Sequence, residues 1–308
     1  MKDTGIETFD TLPVDKWQPL AVRRLPRPPM SQLKNIPLPF ETKTFSLDFL
    51  QYFFGGFQHT PGMYYIPKKE GHSILPSRSY YLMDSIHEPY LPKGPGEHGA
   101  KLTAFFNDNA TDFFEDGDRS PYEGVPLFIC GSPYMKAQKN SERIQYIYCG
   151  HYTQNRWSDK LDYDRMMEQV PNEVREYHAE ELCKLGRPGW VTYRLTEHFW
   201  PKPQYDGLLP LSIDLDTDKD RQDFLHDVGS YICELHHWQK GLEAKAVRLK
   251  KKSIMKAFEA PDAGNPKGLR LWWEYLKCDG WESTFYNLLV KVQERFYAKG
   301  LNKRYDDE

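Results

Sequence analysis

Apolar and polar positions follow two rhythms along this chain, and the change comes near residue 218. Before it the apolar runs are short, aromatic and broken by turn residues. Ile144 to Tyr152 alternates apolar and polar positions, which places successive side chains on opposite faces of a strand. Val125 to Cys130 is a continuous apolar run turned by Gly131-Ser132-Pro133 and predicts a buried strand. Ser79 to Met83 and Trp190 to Leu195 have strand-like composition. Thr44 to Leu50 opens a helical turn or two, and Pro92-Lys93-Gly94-Pro95-Gly96 reads as a loop. Helices are expected over Asp162–Gln169 and Asn172–Leu185, the second stopped by Gly186.

Beyond Asp218, residues Phe224, Val228, Tyr231, Leu235, Trp238, Leu242 and Leu249 recur at spacings of three, four and seven. That is the stripe of an amphipathic helix, with a break expected at Gly241. Leu269–Leu276 and Ser283–Ala298 predict two more helices, the last closed by Gly300. At the other end, seven of the 23 prolines fall within the first 40 residues. A proline-rich stretch such as Arg23 to Pro29 resists helix and withholds sheet donors. The expected organisation is a proline-rich extended arm over 1–44, lying on the body through Trp17, Leu20 and Leu25. A mixed β core domain follows over 45–210, then a helical C-terminal part over 211–300 packed on that core, then a polar tail at 301–308. The fold class is α+β, an aromatic-rich antiparallel β core followed by helices.

Charge narrows the function. With 41 Lys and Arg against 44 Asp and Glu, the 308-residue chain carries a net −3 and is no wholly basic binder, although a local basic patch remains open. Five scattered cysteines without a CxxC pair argue against a disulfide framework or a zinc ribbon, and with no apolar leader the expected compartment is nucleus or cytoplasm, without a membrane span. No GxSxG, HExxH, GxxxxGK[ST] or strand-following GxGxxG occurs, which lowers the expectation of the common hydrolase, kinase and dehydrogenase chemistries.

Candidate chemistry is therefore sparse. His226, Ser230, Cys233 and His237 share one helix face; Cys233 and His237 could give two metal ligands, but nothing nominates the rest, and a solvated face accounts for them. His98 and His151 lie among turn residues and could serve as acid or base. Asp112, Glu115, Asp116 and Asp118 miss the EF-hand spacing, and Asp214 to Asp220 reads more simply as the charged start of the next helix. No metal or cofactor is implied. Two positive features stand out. Lys240, Lys245, Arg248, Lys250, Lys251, Lys252 and Lys256 face a single acid, Glu243, with Lys245, Arg248 and Lys252 on one helical face; they suit phosphates or form a solvated face. Tyr146, Tyr148, Gly150 and Tyr152 share one side of a strand followed by Trp157, so Tyr148, Tyr152 and Trp157 could stack a base over the glycine, or be core.

Pro95 to Ala100, Pro126 to Ile129, Tyr148 to Tyr152, Phe258, Gly268 to Leu276 and Gly280-Trp281 resemble landmarks of a fungal domain family of unknown function. The resemblance implies a fungal intracellular protein and brings no catalytic residue. The strand Tyr146 to Tyr152 is also similar to strands of the SRA and PUA-like barrels that read modified bases, which implies a barrel. Together these give an intracellular, non-enzymatic binding protein engaging DNA or RNA through the basic helix and the aromatic slot. Two alternatives stay open: a protein-interaction or scaffold module with a protein partner, and an enzyme of unfamiliar type using His98 and His151.

Overall fold

The computed structural model describes residues 18–68, 71–106, 120–131, 144–207 and 218–299, and within these the side chains of residues 156–158 and 243 stand outside the description. Trp17, the Asp112–Asp118 cluster, Asp214, Asp216 and the polar tail lie outside the described residues. Contacts divide the chain into two compact units, Met1–Tyr177 with Arg270–Glu308, and His178–Leu269.

The first unit is a mixed eight-stranded sheet with helices. Its strands are β1 (Phe45–Ser46), β2 (Phe57–Thr60), β3 (Met63–Tyr65), β4 (Ser79–Asp84), β5 (Gly99–Thr103), β6 (Val125–Cys130), β7 (Gln145–Lys160) and β8 (Trp272–Gly280). They run in the order β2-β3-β4-β6-β7-β8-β5, with β1 also on β7. The α+β class holds. The sheet nevertheless differs from the expected antiparallel barrel in two ways. The β4–β6 pair is parallel, and β2 and β5 are open edges, so the sheet does not close.

Both faces of this sheet are covered, and the alternation of side chains decides which residue goes where. Tyr80, Leu82, Phe128, Tyr146 and Tyr148 join one core with Phe45, Phe49, Trp281 and Tyr286; Tyr81, Met83, Leu127, Ile129, Ile147 and Cys149 join the other with Tyr152, Leu276 and Cys278. Coverage on both sides is why β6 is a continuous apolar run.

Two helices of this unit are tied to β1. Helix α3 (Leu47–Phe54) starts at Ser46, whose hydroxyl accepts from the Phe49 N–H, and stops at Gly55, with φ 68°. Helix α9 (Ser283–Ala298) reaches back through Gln293. Its Oε1 accepts from the Ser46 N–H at 3.0 Å and its Nε2 donates to the Thr44 carbonyl at 2.8 Å. Two single-turn helices, α1 (Leu20–Arg23) and α2 (Met30–Leu33), interrupt the proline-rich segment, where Val22 is buried. Helix α4 (Tyr163–Gln169) is capped by Asp162, and α5 (Asn172–Cys183) follows.

The second unit contains α6 (Gly189–Phe199), α7 (Asp218–Val247) and α8 (Lys251–Phe258). Three local expectations are corrected. Trp190 to Leu195 is helix: Val191 and Leu195, four apart, are buried on one side of α6, so helical packing overrides the β propensity of Trp, Val, Thr and Tyr. Gly241 does not break α7, which continues to Val247. Leu269 to Leu276 is extended and becomes β8 from Trp272. Between β7 and β5 its Trp273, Tyr275 and Leu276 are all buried, a setting that favours aromatic strand residues. No helix of the described residues is long and apolar enough to cross a membrane.

Candidate functional site

The aromatic strand does not build the expected slot. Pairing with β6 shifts between Leu127↔Gly150 and Phe128↔Tyr148, leaving Cys149 as the extra residue of a β-bulge. Gly150 sits at φ +127°, and a Cβ there would meet the Gly280 carbonyl oxygen at 2.6 Å. The bulge reverses the parity of the strand. Tyr146 and Tyr148 therefore face one core and Tyr152 the other, instead of sharing a side. Tyr148 and Tyr152 are 1% and 0% exposed, so neither offers a ring face to a ligand. The Tyr152 hydroxyl donates to the Glu97 and Cys149 carbonyls. The Trp157 side chain lies outside the described residues.

The histidines have work of their own. His98 Nδ1 accepts from the Cys278 N–H at 2.9 Å, so the ring proton sits on Nε2, which donates to the Pro26 carbonyl at 2.9 Å. Both nitrogens are occupied, and His98 serves as a clasp between the N-terminal segment and β8. His151 Nδ1 lies 2.6 Å from the Tyr148 hydroxyl. Burial holds that phenol well above its ordinary range and pulls His151 below its own, against the opposing pull of Glu282 and Asp279. The phenol thus donates to a neutral ring. On α7, His226, Ser230, Cys233 and His237 are exposed, and His237 Nδ1 stands 2.9 Å from the Cys233 carbonyl. Among the described residues no group of three or more His, Cys, Asp and Glu could hold a metal ion.

A buried charge cluster escaped the sequence reading. Lys101 on β5 and Glu274 on β8 are register partners and form an ion pair, at 7% and 3% exposure. The Glu88 carboxyl oxygen accepts from the Leu102 N–H at 2.9 Å. Glu88 is half-buried as a residue with its carboxyl enclosed. Burial pushes its pKa up to about 8, with Lys101 lowering it and Glu274 raising it. Perturbed groups of this kind also occur at active sites. Here Lys101 and Glu274 are spent on each other across an edge strand, where inward charges fix register and discourage edge-to-edge pairing.

The basic residues gather at the junction of α7 and α8, which is not the continuous helical face expected. The Arg248 N–H donates to the Lys245 carbonyl and the Leu249 N–H to that of Ala246, tightening the last turn of α7. Lys250 is then extended at φ −106° as the residue preceding α8. Ala246, Leu249, Ile254, Ala257 and Phe258 are buried and anchor the junction. Arg187, which sequence reasoning passed over, donates to the Ala246 carbonyl at 2.8 Å and to the Leu182 carbonyl at 3.0 Å, placing a cation at the negative end of α7. Burial lowers its pKa. Lys245 is exposed, with Nζ 5.9 Å from the Trp200 ring centre. Arg248, Lys250 and Lys252 are exposed, and Lys251 pairs with Glu180 at 2.5 Å.

That crowding runs against helix electrostatics. The first turn of α8 has no acidic residue and no side-chain cap, while Lys250, Lys251 and Lys252 surround its positive end. Each cation there costs about 0.3–1 kcal/mol, and Glu180 offsets one of the three.

The sequence profile of a domain of unknown function, DUF6697, matches residues 44–292. The chain belongs to the DUF6697 family. The match takes in both the sheet and the α7–α8 junction, together with the Tyr148–Tyr152 strand and the Gly268–Trp281 segment that carry its resemblance to a family of unknown function. No curated protein and no solved structure matches this DUF6697 chain.

Proposed function

We propose that this DUF6697 protein binds the phosphate backbone of nucleic acid through the α7–α8 junction, as a non-enzymatic binding protein of the nucleus or cytoplasm. The observation that carries it is the set of exposed cations, Lys245, Arg248, Lys250 and Lys252, around a helix end that already repels them. With Tyr148 and Tyr152 buried, base stacking by them is no part of the contact. Binding is to the backbone and carries little sequence preference.

The test titrates the protein into labelled single- and double-stranded DNA and RNA at 50 and 200 mM salt. Four neutralised phosphates give a log–log slope of about −3.6 and an affinity loss of roughly 150-fold over that range. The triple variant Arg248→Glu, Lys250→Glu, Lys252→Glu should abolish binding. It leaves Lys251–Glu180 and the buried anchor intact. Unchanged binding by that variant, or no binding by the parent protein at 50 mM salt, overturns the proposal.

A further inference from the structure

Helix α7 is 30 residues long, yet among its described side chains only Ala246 is buried. A helix so little packed is marginal in water, because helical stability in proteins comes mainly from burying one face. Its own unit covers one flank of the apolar stripe. The Trp238 Nε1–H donates to the Trp200 carbonyl at 2.9 Å, the Tyr231 hydroxyl donates to that of Pro203 at 3.2 Å, and the Tyr205 and Tyr231 rings stand 5.4 Å apart. At about 100° per residue, Tyr231, Trp238 and Lys245 fall on that covered flank. On the opposite flank Leu225 and Ile232 are 66% and 46% exposed, beside half-buried Val228 and Leu235.

Leu225, Val228, Ile232, Leu235, Gln239 and Leu242 recur at alternating steps of three and four. A 3.5-residue period on one face is the seam of a helix pair, with Gln239 its single polar position. We infer that a second copy of this chain covers the seam, with the two α7 helices antiparallel about a twofold axis between Cys233 and Glu234. Two observations select this occupant and this direction.

The first is the seam's internal symmetry. Turned end for end, it pairs Leu225 with the partner's Leu242, Val228 with the partner's Gln239, and Ile232 with the partner's Leu235. Leucine thus meets leucine and isoleucine meets leucine in isologous contacts, and only Val228 faces a polar residue, Gln239. The second is charge. From Asp218 to Glu234 five carboxylates stand with two cations, whereas from Lys240 to Lys252 six cations stand with one carboxylate. Antiparallel copies bring the acidic start of each α7 to the end of the other, where Lys240 and Lys245 lie in the helix and four more cations follow just beyond Val247, while parallel copies would stack like on like. The pair also holds the two α7 C-termini about 40 Å apart at 1.5 Å per residue, so the phosphate-binding junctions stay at opposite ends.

Sedimentation equilibrium of the full chain, without nucleic acid, tests association independently of phosphate binding. The expected result is a dimer, with Leu225→Glu plus Ile232→Glu raising its dissociation constant about a hundredfold or more. Both positions are exposed in the single chain, and an unchanged circular dichroism spectrum of the variant confirms that the fold persists. Direction is read by disulfide capture in a Cys233→Ser background. Chains carrying Leu225→Cys should cross-link to chains carrying Leu242→Cys, and neither to itself, since identical positions stand about 25 Å apart along the axis. A monomer at 100 μM, a dimer indifferent to the double variant, or self-cross-linking of Leu225→Cys chains each overturns the inference.

Discussion

Glu88 should make the first unit less stable as the solution becomes more alkaline, and Glu88→Gln isolates the effect. Its carboxyl is enclosed beside Lys101 and Glu274, and its pKa is raised from 4.5 to about 8. Between those values the unfolded chain has released the proton while the folded chain retains it. Folding is therefore favoured below pH 4.5, and the advantage is lost as pH rises toward 8. At 1.36 kcal/mol per unit, the whole window is worth about 5 kcal/mol at most, because water entry around the ionised carboxylate relieves part of the cost. Glutamine keeps a carbonyl oxygen for the Leu102 N–H and does not titrate. Urea unfolding from pH 5 to pH 9 should find parent and variant within about 1 kcal/mol at pH 5. At pH 8.5 the variant should be the more stable by about 2 kcal/mol or more. Parallel stability curves across that range, or a parent that gains on the variant as pH rises, would refute the assignment of an enclosed, neutral carboxyl.

Three further outcomes follow from the same sheet. Gly150→Ala should cost about 3 kcal/mol or more in denaturant unfolding, since it adds a Cβ at φ +127° against the Gly280 carbonyl oxygen. Lys101→Met should cost about 3–5 kcal/mol by stranding Glu274, and adding Glu274→Leu should restore most of it, as thermal unfolding of the single and double variants will show. His98→Ala removes the acceptor of the Cys278 N–H and the donor to the Pro26 carbonyl; the loss is about 1–3 kcal/mol, read as faster hydrogen exchange at Cys278 and earlier proteolysis within residues 18–44.

Much of the fold is legible in local pattern, and the failures share a cause. Val125–Cys130, Ser79–Met83 and Ser283–Ala298 are read correctly because each has one environment along its length: two covered faces for β6 and β4, one covered face for α9. Trp272 to Leu276 is misread because Glu274 interrupts its apolar run, and only the cross-strand Lys101 explains a charge there. Trp190 to Leu195 shows the converse, strand-forming residues held in a helix by Val191 and Leu195. Strand parity fails for a subtler reason. Counting by twos from Tyr146 reaches Tyr152 on the same side, and a one-residue bulge at Cys149 puts it on the other. Gly150 was visible as a glycine, but its positive φ comes with the bulge, and the bar to a Cβ comes from the Gly280 carbonyl, 130 residues away in sequence.

The same distinction separates the two parts of the candidate site. A stacking platform depends on which face each aromatic takes and what lies over it, both set by pairing between distant strands, so Tyr148 and Tyr152 were legible as aromatic and illegible as buried. A basic patch depends on charge density along a short segment, which the sequence carries directly. The structure alters its shape, breaking one helical face into a junction anchored by Leu249 and Ile254 and adding Arg187 and Glu180 from elsewhere in the second unit. Lys250, Lys251 and Lys252 thereby come to lie at the positive end of α8 rather than along the flank of a longer helix. That placement costs folding energy and gains from a bound anion, so the charges that least suit the isolated helix are the ones whose reversal should most weaken phosphate binding.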